Sequence, residues 1–548
     1  LLAACDGVRP ARAIAEELAA DPTLELDGPD EVYELLDELV EQKLLLWTIE
    51  ISPVPRHPEA ALRRALEAAS GPACERGLEA LRELERGRDA VRAAAGRPAE
   101  LAGALAELDA TFEKVTDHAP VRRDGEFYAG RTLLYELGTR DVELELGGDV
   151  LARLGPPLAL VLASARWFTW HVGQRYLAAV HAAYRALRDE LGDPVVPYLL
   201  LWQRIAPLFP NGRTASPIVT DVSDELRRRW MDLLAFDPAE RRVQRTAAAL
   251  RDPVEEAFGD APGPGWPWAR HQSPDLMIAA CSAEAIARGE YTVVLGELHS
   301  AMHSYLRPLC IEDVPHRDRL IAAYEADIER GCVFPVTSRS AATAMDDASM
   351  SRADYELVTG DTPPAAGPAR ALAVGELCAA EEDGRLVVRT RDGRARLQAA
   401  EYLSYYLSAE SMSQFKLLPD ATHLPRVEID GLVIARERWT FEADQLTLFR
   451  RPAPRLERFV EARRWARTHD LPRRVFVTIP EEIKPMYVDL ESPVYVELFS
   501  RLIRNASRLT VTEMLPGPDE CWLVDASGAR YTSELRVAAV DPEPWRPR

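Results

Sequence analysis

The sequence predicts an α+β protein of several subdomains, with a winged-helix-like N-terminal piece, a helical middle and a strand-rich C-terminal part. Its 548 residues are enough for roughly three or four domains. Apolar residues recur at helical spacing through much of the first half, and short strand-like segments dominate after the Pro/Gly-rich break at 359–369. Because helices and strands do not alternate regularly, a doubly wound β-α-β sheet is disfavoured.

The first segment, residues 1–55, predicts three helices followed by a strand, which is the order of a winged helix. DGVRPARAIAEEL places a turn before an amphipathic helix, and DEVYELLDELVEQKLL continues with Asp30 as a capping residue. LLLWTI predicts the strand. The acidic helix disfavours DNA binding, so we expect contact with a peptide or protein. The chain starts Leu-Leu in what resembles a folded element, and we expect the natural N-terminus upstream.

Three further segments follow. Residues 56–258 are predicted to be mainly helical, with a short strand region within 126–146. Residues 259–358 are predicted to mix helices and strands, beginning with a rigid Pro/Gly/Trp loop. Residues 359–548 are predicted to be strand-rich and to carry a basic patch.

Charge and cysteine usage restrict the function. A net charge of −22 argues against general non-specific nucleic-acid binding but leaves room for a local basic patch. The seven cysteines are scattered without a C-x-x-C pair, which suits a reducing, cytoplasmic compartment and disfavours structural zinc. We see no signal peptide and no apolar run of ~20 residues, so we expect no membrane span.

The stretch TVVLGELHSAMHSYLRPL, residues 292–309, raises the question of a metal site. Two histidines four residues apart could share one helix face, but a zincin needs glutamate between its histidines and a third ligand. We interpret the stretch as a strand ending at Gly296, followed by a helix with Glu297 in its first turn. We expect no metal, and take Glu297 and His299 as candidates for the active region.

Residues 436–474 hold eleven arginines against six acidic residues, a local balance of +5 in an acidic chain. Arginine forks suit phosphate oxygens, so this segment is a candidate nucleic-acid or nucleotide contact. The alternative is a solvated helix face with local ion pairs. The chain has only four lysines, and Lys416 and Lys484 offer further point charges. The candidate phosphate ligands are Arg436, Arg438, Arg463, Arg464, Lys416 and Lys484.

Common catalytic signatures are absent from the sequence. We find no G-x-x-x-x-G-K-[ST], no G-x-G-x-x-G, no G-x-S-x-G and no set of kinase motifs. A P-loop enzyme, a dehydrogenase and a generic hydrolase are therefore disfavoured.

Long phrases of the sequence resemble the N-terminal, tRNA-dependent glutamylation domain of class I lanthipeptide (lantibiotic) dehydratases, a family with peptide aminoacyl-tRNA ligase relatives. The phrases are HQSPDLMIAACSAEAIARGEYTVVLGELHSAMHS, LPRVEIDGLVIARERW, LPRRVFVTIPEEIKPMYVDLESPVYVELFSRLIR, LTVTEMLP and YTSELR, with weaker likeness in DGVRPARAIAEEL and FYAGRTLLYE. The resemblance is most extensive over residues 270–541.

This resemblance implies a reaction. Such domains move glutamate from glutamyl-tRNA to Ser or Thr hydroxyls of a ribosomally made precursor peptide, and a separate domain eliminates it. We expect no elimination domain in this chain, no bound cofactor, and aminoacyl-tRNA as co-substrate. A separate elimination protein and a homodimer are candidate partners. Two alternatives stay open: an ATP-dependent peptide aminoacyl-tRNA ligase, and a non-catalytic scaffold for peptide or tRNA.

Acyl transfer of this kind needs a base, donors for the oxyanion and a proton or positive charge for the departing ribose oxygen. Under the resemblance, Arg436, Arg438, Lys416 and Lys484 could serve the phosphate and oxyanion roles. Glu297, His299 and Glu513 are candidates for proton transfer or for ordering those cations. The winged-helix-like piece would suit leader-peptide docking by strand addition.

Overall fold

The structure is a computed structural model. It describes residues 1–7, 9–49, 51–52, 57–121, 132–134, 138, 140, 142–210, 216–237, 239–303, 307–311, 314–328, 331–337, 351–360, 362–365, 367, 369–446, 449, 453–482 and 484–546. The chain divides into two compact units, one formed mainly by residues 1–135 and the other mainly by residues 136–548.

The part of the first unit formed by residues 1–135 is helical where it has regular structure. Its helices are α1 (Ala11–Ala19), α2 (Pro29–Glu41), α3 (Pro58–Ala68), α4 (Pro72–Ala94) and α5 (Pro98–Thr116). Helices α1 and α2 bury Ala15, Val32 and Leu36 in a small core. Helices α4 and α5 approach closely at Gly87, where an added Cβ would lie 2.7 Å from Leu108 Cδ1. The helices predicted for residues 56–116 are thus present.

The strand predicted from LLLWTI is absent: residues 44–49 form turn and coil. Leu44, Leu46, Trp47 and Ile49 are exposed, and the Trp47 ring stacks on Tyr33 with centroids 5.9 Å apart. A strand needs a paired neighbour, and none of the described residues pairs with this segment. Most of the strand region predicted within 126–146 falls outside the described residues, and 142–147 are coil.

The second unit contains the remaining elements. Its helices are α6 (Gly148–Leu191), α7 (Tyr198–Ile205), α8 (Pro217–Leu234), α9 (Ala247–Phe258), α10 (Ala283–Ala287), α11 (Pro308–Ile311), α12 (Arg317–Asp327), α13 (Ala399–Tyr402), α14 (Ser404–Ser411), α15 (Arg455–Thr468) and α16 (Pro493–Leu502). Its strands up to the middle of the chain are β1 (Val195–Pro197), β2 (Arg242–Arg245), β3 (His271–Ala279), β4 (Thr292–Ser300), β5 (Val333–Pro335), β6 (Tyr355–Val358), β7 (Ala371–Ala373), β8 (Leu377–Glu382), β9 (Arg385–Thr390) and β10 (Arg396–Gln398). The later strands are β11 (His423–Leu424), β12 (Arg426–Ile429), β13 (Leu432–Ala435), β14 (Arg438–Glu442), β15 (Arg474–Thr478), β16 (Met486–Asp489), β17 (Arg508–Glu513), β18 (Leu523–Val524), β19 (Arg530–Tyr531), β20 (Leu535–Arg536) and β21 (Ala539–Val540).

Helix α6 is the longest helix described, and its apolar face is buried in the main core. Trp167, Phe168 and Tyr176 are buried on this helix, which contacts α7, α8 and α9. By length and composition α6 could cross a bilayer, with 33% of its most apolar window buried. One such helix is weak evidence for a membrane span, since core helices of soluble proteins meet the same criteria.

A seven-stranded sheet lies at the centre of the second unit, in the order β2-β12-β13-β4-β3-β20, with β21 also paired to β3. Strand β4 is antiparallel to β3, and at Val293 and Val294 it is also paired in parallel with β13. The prediction that this strand ends at Gly296 and gives way to a helix is wrong. Pairing with β3 continues to Ser300, and Glu297 and His299 lie on a strand.

A five-stranded antiparallel sheet has the order β11-β14-β17-β15-β16. Trp439, Val475, Val477 and Val511 point to one face, where they form a core with residues of α15 and α16. A four-stranded sheet has the order β1-β8-β9-β10, and short sheets join β5-β6-β7 and β18-β19. The predicted α+β class and strand-rich C-terminal part are confirmed. The four-segment division stays a prediction; strands of the seven-stranded sheet come from three of those segments.

Two buried glutamates join the five-stranded sheet to the seven-stranded sheet. Glu437, 1% exposed, accepts hydrogen bonds from Arg241 Nε at 2.7 Å and Arg242 Nη1 at 2.7 Å. Glu513, 4% exposed, is hydrogen-bonded to Arg426 of β12 and accepts the Glu437 N–H at 2.8 Å. Each carboxylate lies at the end of one sheet and its arginines on or beside the edge of the other, so these ion pairs fix the relative position of the two sheets.

We expect Glu437→Gln to lower the free energy of unfolding by about 2 kcal/mol at neutral pH, because it removes a buried charge held by arginines that are nearly half exposed and can rehydrate. Burial opposes ionisation of Glu437, but hydrogen bonds from Arg241, His423 and Arg242 outweigh it and lower its pKa. The stabilisation is therefore full above about pH 5 and lost as pH falls below the ordinary glutamate pKa of about 4.3.

Urea unfolding of wild type and variant between pH 3 and pH 7 measures this difference. Glu442→Gln, an exposed position on the same strand β14, is the matched control and should change stability by less than about 0.5 kcal/mol. A Glu437→Gln difference that does not shrink as pH falls would contradict the assignment.

Candidate active site

Strand β4 places Glu297 and His299 on one face of the seven-stranded sheet. Side chains two residues apart on a strand project to the same side, and His299 Nε2 lies 3.9 Å from Glu297 Oε2. The neighbours of opposite parity, Leu298 and Ser300, are buried. A strand rather than a helix brings these two polar groups together, and their part in an active site stays a prediction.

Lys416 completes an ion pair with Glu297. Its Nζ lies 2.6 Å from Glu297 Oε1, and both side chains are about half exposed, at 46% and 53%. The preceding residue, Phe415, is buried edge-on against Phe168 with ring centroids 5.7 Å apart. This aromatic anchor fixes the backbone beside the lysine, so the cation comes to Glu297 from a segment that is 119 positions away in the chain.

His299 is held from behind by a carboxylate that sequence reasoning missed. Asp275 on β3 is buried, and its Oδ2 lies 3.1 Å from His299 Nε2. Its Oδ1 has no hydrogen-bond partner among the described residues. The available signal was an acidic residue inside the apolar strand SPDLMIAA, but pairing it with His299 required the β3–β4 register.

The electrostatics of the cluster favour an ionised Glu297. Partial burial opposes ionisation, but the charge of Lys416 and its hydrogen bond outweigh this, with further contributions from His299 and Lys484, and the pKa of Glu297 is lowered. Lys484 lies in the loop between β15 and β16, so the five-stranded sheet supplies a second lysine to this region. Two of the six candidate phosphate ligands thus act on the Glu297 carboxylate.

Arg436 and Arg438 are more buried than their selection as candidate phosphate ligands led us to expect. Arg436 Nε donates to the Leu515 carbonyl at 2.8 Å, and Arg438 Nη2 donates to the Pro419 carbonyl at 3.2 Å. Burial lowers the pKa of both guanidinium groups. Both arginines therefore hold backbone segments in place as well as carrying charge.

The remaining candidates, Glu513, Arg463 and Arg464, contact residues outside the cluster of Glu297, His299 and Lys416. Glu513 is engaged by Arg426 and the Glu437 N–H in the network between the sheets, so its carboxylate is occupied structurally. On helix α15, Arg463 pairs with Glu491 at 2.8 Å, whereas Arg464 is exposed. Among the described residues, the basic segment thus contains arginines that are paired with carboxylates and arginines that are exposed to solvent.

His303 contacts a different set of side chains from His299. Its ring lies 4.8 Å from the ring of His271, in a buried cluster with Tyr324. No group of three or more His, Cys, Asp or Glu side chains suited to a metal ion occurs in the described part of the chain.

The family profile "Lantibiotic dehydratase, N terminus" matches residues 1–499. The chain belongs to the lantibiotic dehydratase family. The resemblance found in the sequence is thereby confirmed over most of the chain. No curated protein matches the sequence.

Solved structures of this family share the fold. The tRNA-dependent lantibiotic dehydratase MibB from Microbispora sp. 107891 is 16% identical, with a TM-score of 0.62 over 94% of this chain and 50% of MibB. The glutamylation domain TbtB from thiomuracin biosynthesis is 19% identical, with a TM-score of 0.56 over 97% of this chain and 66% of TbtB. A second TbtB structure, bound to 5'-phosphodesmethylglutamycin, is 18% identical, with a TM-score of 0.57 over 97% of this chain and 64% of TbtB. The chain thus spans half to about two thirds of the proteins it matches.

We expect Lys416→Met to raise the pKa of Glu297, because it removes the larger of the two lysine contributions while leaving partial burial in place. Lys484→Met should raise it by less. Carbon-13 NMR titration of the Glu297 carboxyl measures both changes, with Glu297→Gln to assign the resonance. An equal or larger effect of Lys484→Met would show that the order of the two contacts is reversed.

Proposed function

We propose that this chain transfers an amino acid, glutamate in the first instance, from aminoacyl-tRNA to a Ser or Thr hydroxyl of a ribosomally made precursor peptide. The observation that carries the proposal is the cluster in which Asp275 holds His299 beside the Lys416–Glu297 pair. It supplies a base and cations at one place on a family scaffold whose members include a protein described as tRNA-dependent and one described as a glutamylation domain.

The proposed chemistry balances with the residues of the cluster. An Nε2–H donated to Asp275 leaves Nδ1 of His299 as the base that takes the proton of the peptide hydroxyl. The hydroxyl oxygen then bonds to the ester carbonyl carbon, the bond from that carbon to the ribose oxygen breaks, and the proton returns to the ribose oxygen. Lys416 and Lys484 stabilise the oxyanion or a neighbouring phosphate, and Glu297 orients Lys416.

The remaining predicted residues take supporting parts in this proposal. Arg436 and Arg438 shape the segments around the cluster and contribute positive charge, and Arg463 and Arg464 on α15 contact tRNA phosphates. Glu513 acts through the network between the sheets rather than by proton transfer. The co-substrate is aminoacyl-tRNA, and the compartment is the cytoplasm.

The first unit is proposed to dock the precursor peptide. Residues 44–49 present exposed Leu44, Leu46 and Trp47 on backbone outside any sheet. Its exposed apolar side chains can contact a peptide, whereas the strand addition expected from the sequence needs a sheet edge that this segment does not form. The precursor's leader is the partner expected there.

Reaction type is tested by mass spectrometry of a precursor peptide incubated with the 548-residue protein and charged tRNA. We expect a gain of one amino-acid residue per modified hydroxyl and no loss of water, because the cluster supplies acyl transfer and elimination needs a second site that removes the α-proton. His299→Gln and Asp275→Asn should reduce the transfer rate by roughly 100-fold or more.

Three other results would each change the assignment. A dehydrated product would show an elimination site outside this cluster. Mass gain at the peptide's C-terminus that requires ATP would identify the ligase alternative. Peptide and tRNA binding without any mass gain would identify the scaffold.

The exposed arginines of α15 give a separate test of tRNA contact. We expect Arg464→Gln with Arg467→Gln to weaken tRNA binding and to reduce the slope of log affinity against log salt by about 1 to 2, because each lost phosphate contact removes about one released counterion. Arg188→Gln with Arg204→Gln, exposed on α6 and α7, is the matched control. An equal reduction in slope for both pairs would show a non-local charge effect.

A further inference from the structure

Asp275, which holds His299, lies at an irregular point in the pairing of β3 with β4. Two consecutive residues of β4, Gly296 and Glu297, lie opposite this single residue of β3, because the register shifts there. A Cβ added at Gly296 would lie 3.6 Å from the Cβ of Asp275, so the glycine faces the aspartate across the bulge. A β-bulge of this kind interrupts the ladder and redirects side chains. The direction of the Asp275 carboxylate therefore depends on how the bulge is held.

The other edge of β3 is held by residues 535–541, called the edge segment below. Its strand β20 pairs Arg536 with Asp275. The Val537 N–H donates to the carbonyl of Pro274 at 3.3 Å. Pro274 has no N–H of its own, and the ladder to β4 is interrupted at Asp275. The backbone on both sides of the aspartate is therefore fixed in large part by the edge segment.

A buried carboxylate fastens the edge segment to the rest of the second unit. The Asp541 side chain is 6% exposed and accepts hydrogen bonds from Arg166 Nε at 2.6 Å and Arg166 Nη2 at 2.7 Å. The Asp541 N–H donates to the Arg270 carbonyl at 2.7 Å, and Arg270 Nε donates to the Asp541 carbonyl at 3.1 Å. One residue thus connects the edge segment to helix α6 and to the residue that precedes β3.

The strand pairing of the edge segment is short. Strands β20 and β21 have two residues each, and pairing of this length is marginal without further contacts. The contact between Arg166 and Asp541 is bidentate and charge-assisted, which is the strong form of a hydrogen-bonded pair. Leu535 and Val537 also pack against the main core. Loss of the ion pair should therefore shift the edge segment along β3 rather than detach it.

We infer that Arg166 and Asp541 are positioning residues for the proposed transfer reaction. Through the edge segment they hold the bulge, and the bulge directs the Asp275 carboxylate towards His299 Nε2, 3.1 Å away. This inference rests on the proposed function, and it adds to the cluster two residues that act on it through the backbone of β3.

A double-mutant cycle in the 548-residue protein tests the inference. Asp541→Asn keeps the size of the side chain and removes its charge. We expect this change to lower kcat of transfer by roughly tenfold with KM for tRNA and peptide unchanged, because the base is misplaced while the binding surfaces are intact. In an Asp275→Asn background the same change should alter kcat by less than about twofold, since the residue through which it acts is already lost.

Nuclear magnetic resonance reports the same contact without turnover. The ring N–H that His299 donates to Asp275 should give a resolved proton resonance in protein with nitrogen-15-labelled histidine, because a charge-assisted hydrogen bond slows exchange of that proton with water. His299→Gln assigns the resonance. We expect it in wild type and its loss in Asp541→Asn. Arg166→Lys keeps the charge but cannot form both hydrogen bonds, so it should weaken the resonance, and it replaces Asp541→Asn if that variant does not fold.

Glu497→Gln is the control for loss of a buried ion pair elsewhere in the second unit. Glu497 on α16 accepts a hydrogen bond from Arg458 Nη1 on α15 at 2.6 Å, and the two side chains are 18% and 13% exposed. This variant should lower the free energy of unfolding but leave kcat and the His299 resonance unchanged.

Two results would overturn the inference. The first is an equal loss of kcat from Asp541→Asn in the wild-type and Asp275→Asn backgrounds, which would show a general effect on stability. The second is a folded Asp541→Asn protein that keeps both kcat and the His299 resonance. If wild type transfers no amino acid, the proposed function fails and the resonance alone decides: its loss in Asp541→Asn supports the inference, and its retention overturns it.

Discussion

The relative position of the two larger sheets depends on two carboxylates that are almost completely removed from water. Glu437 is paired with Arg241 and Arg242, and Glu513 is paired with Arg426, so each buried carboxylate has a positive partner. Those arginines lie on or beside the edge of the seven-stranded sheet, and the glutamates lie at the end of the five-stranded sheet. These ion pairs therefore constrain the geometry, because the two sheets have to meet where each carboxylate contacts its arginines. The same junction brings the five-stranded sheet close enough for the charge of Lys484 to act on Glu297.

Much of the architecture follows from patterns that are local in sequence. Helical periodicity predicted α3 to α6, and alternation predicted the strands after residue 370, because burial of one face imposes period 3.6 or period 2 on the chain. The same local logic failed at two places. LLLWTI has the composition of a strand but no pairing partner among the described residues, and GELHS continues as a strand beyond its glycine because β3 pairs with it as far as Ser300.

The candidate site was predictable in part, for the same reason. Glu297 and His299 were found because they are neighbours in sequence. Asp275 was missed because its contact with His299 depends on strand register, and the partnership of Lys416 with Glu297 depends on a loop far along the chain. Arg436, Arg438 and Glu513 were chosen by charge alone. In the structure, each of them also forms a hydrogen bond with a backbone group. Whether a charge faces solvent, a carbonyl or another charge is a tertiary property.

Strand β4 is paired with β3 as far as Ser300, whereas the two lysines that act on its glutamate are carried by segments outside the sheets. An inherited change in the length or sequence of the segments around Lys416 and Lys484 can therefore move positive charge without shifting Glu297 or His299. Divergence within such a scaffold would be expected to retain the strand-borne pair and to alter the loops. Under the proposed function, new acyl donors or acceptors could then be accommodated by loop replacement, while β3 keeps Glu297 and His299 in register.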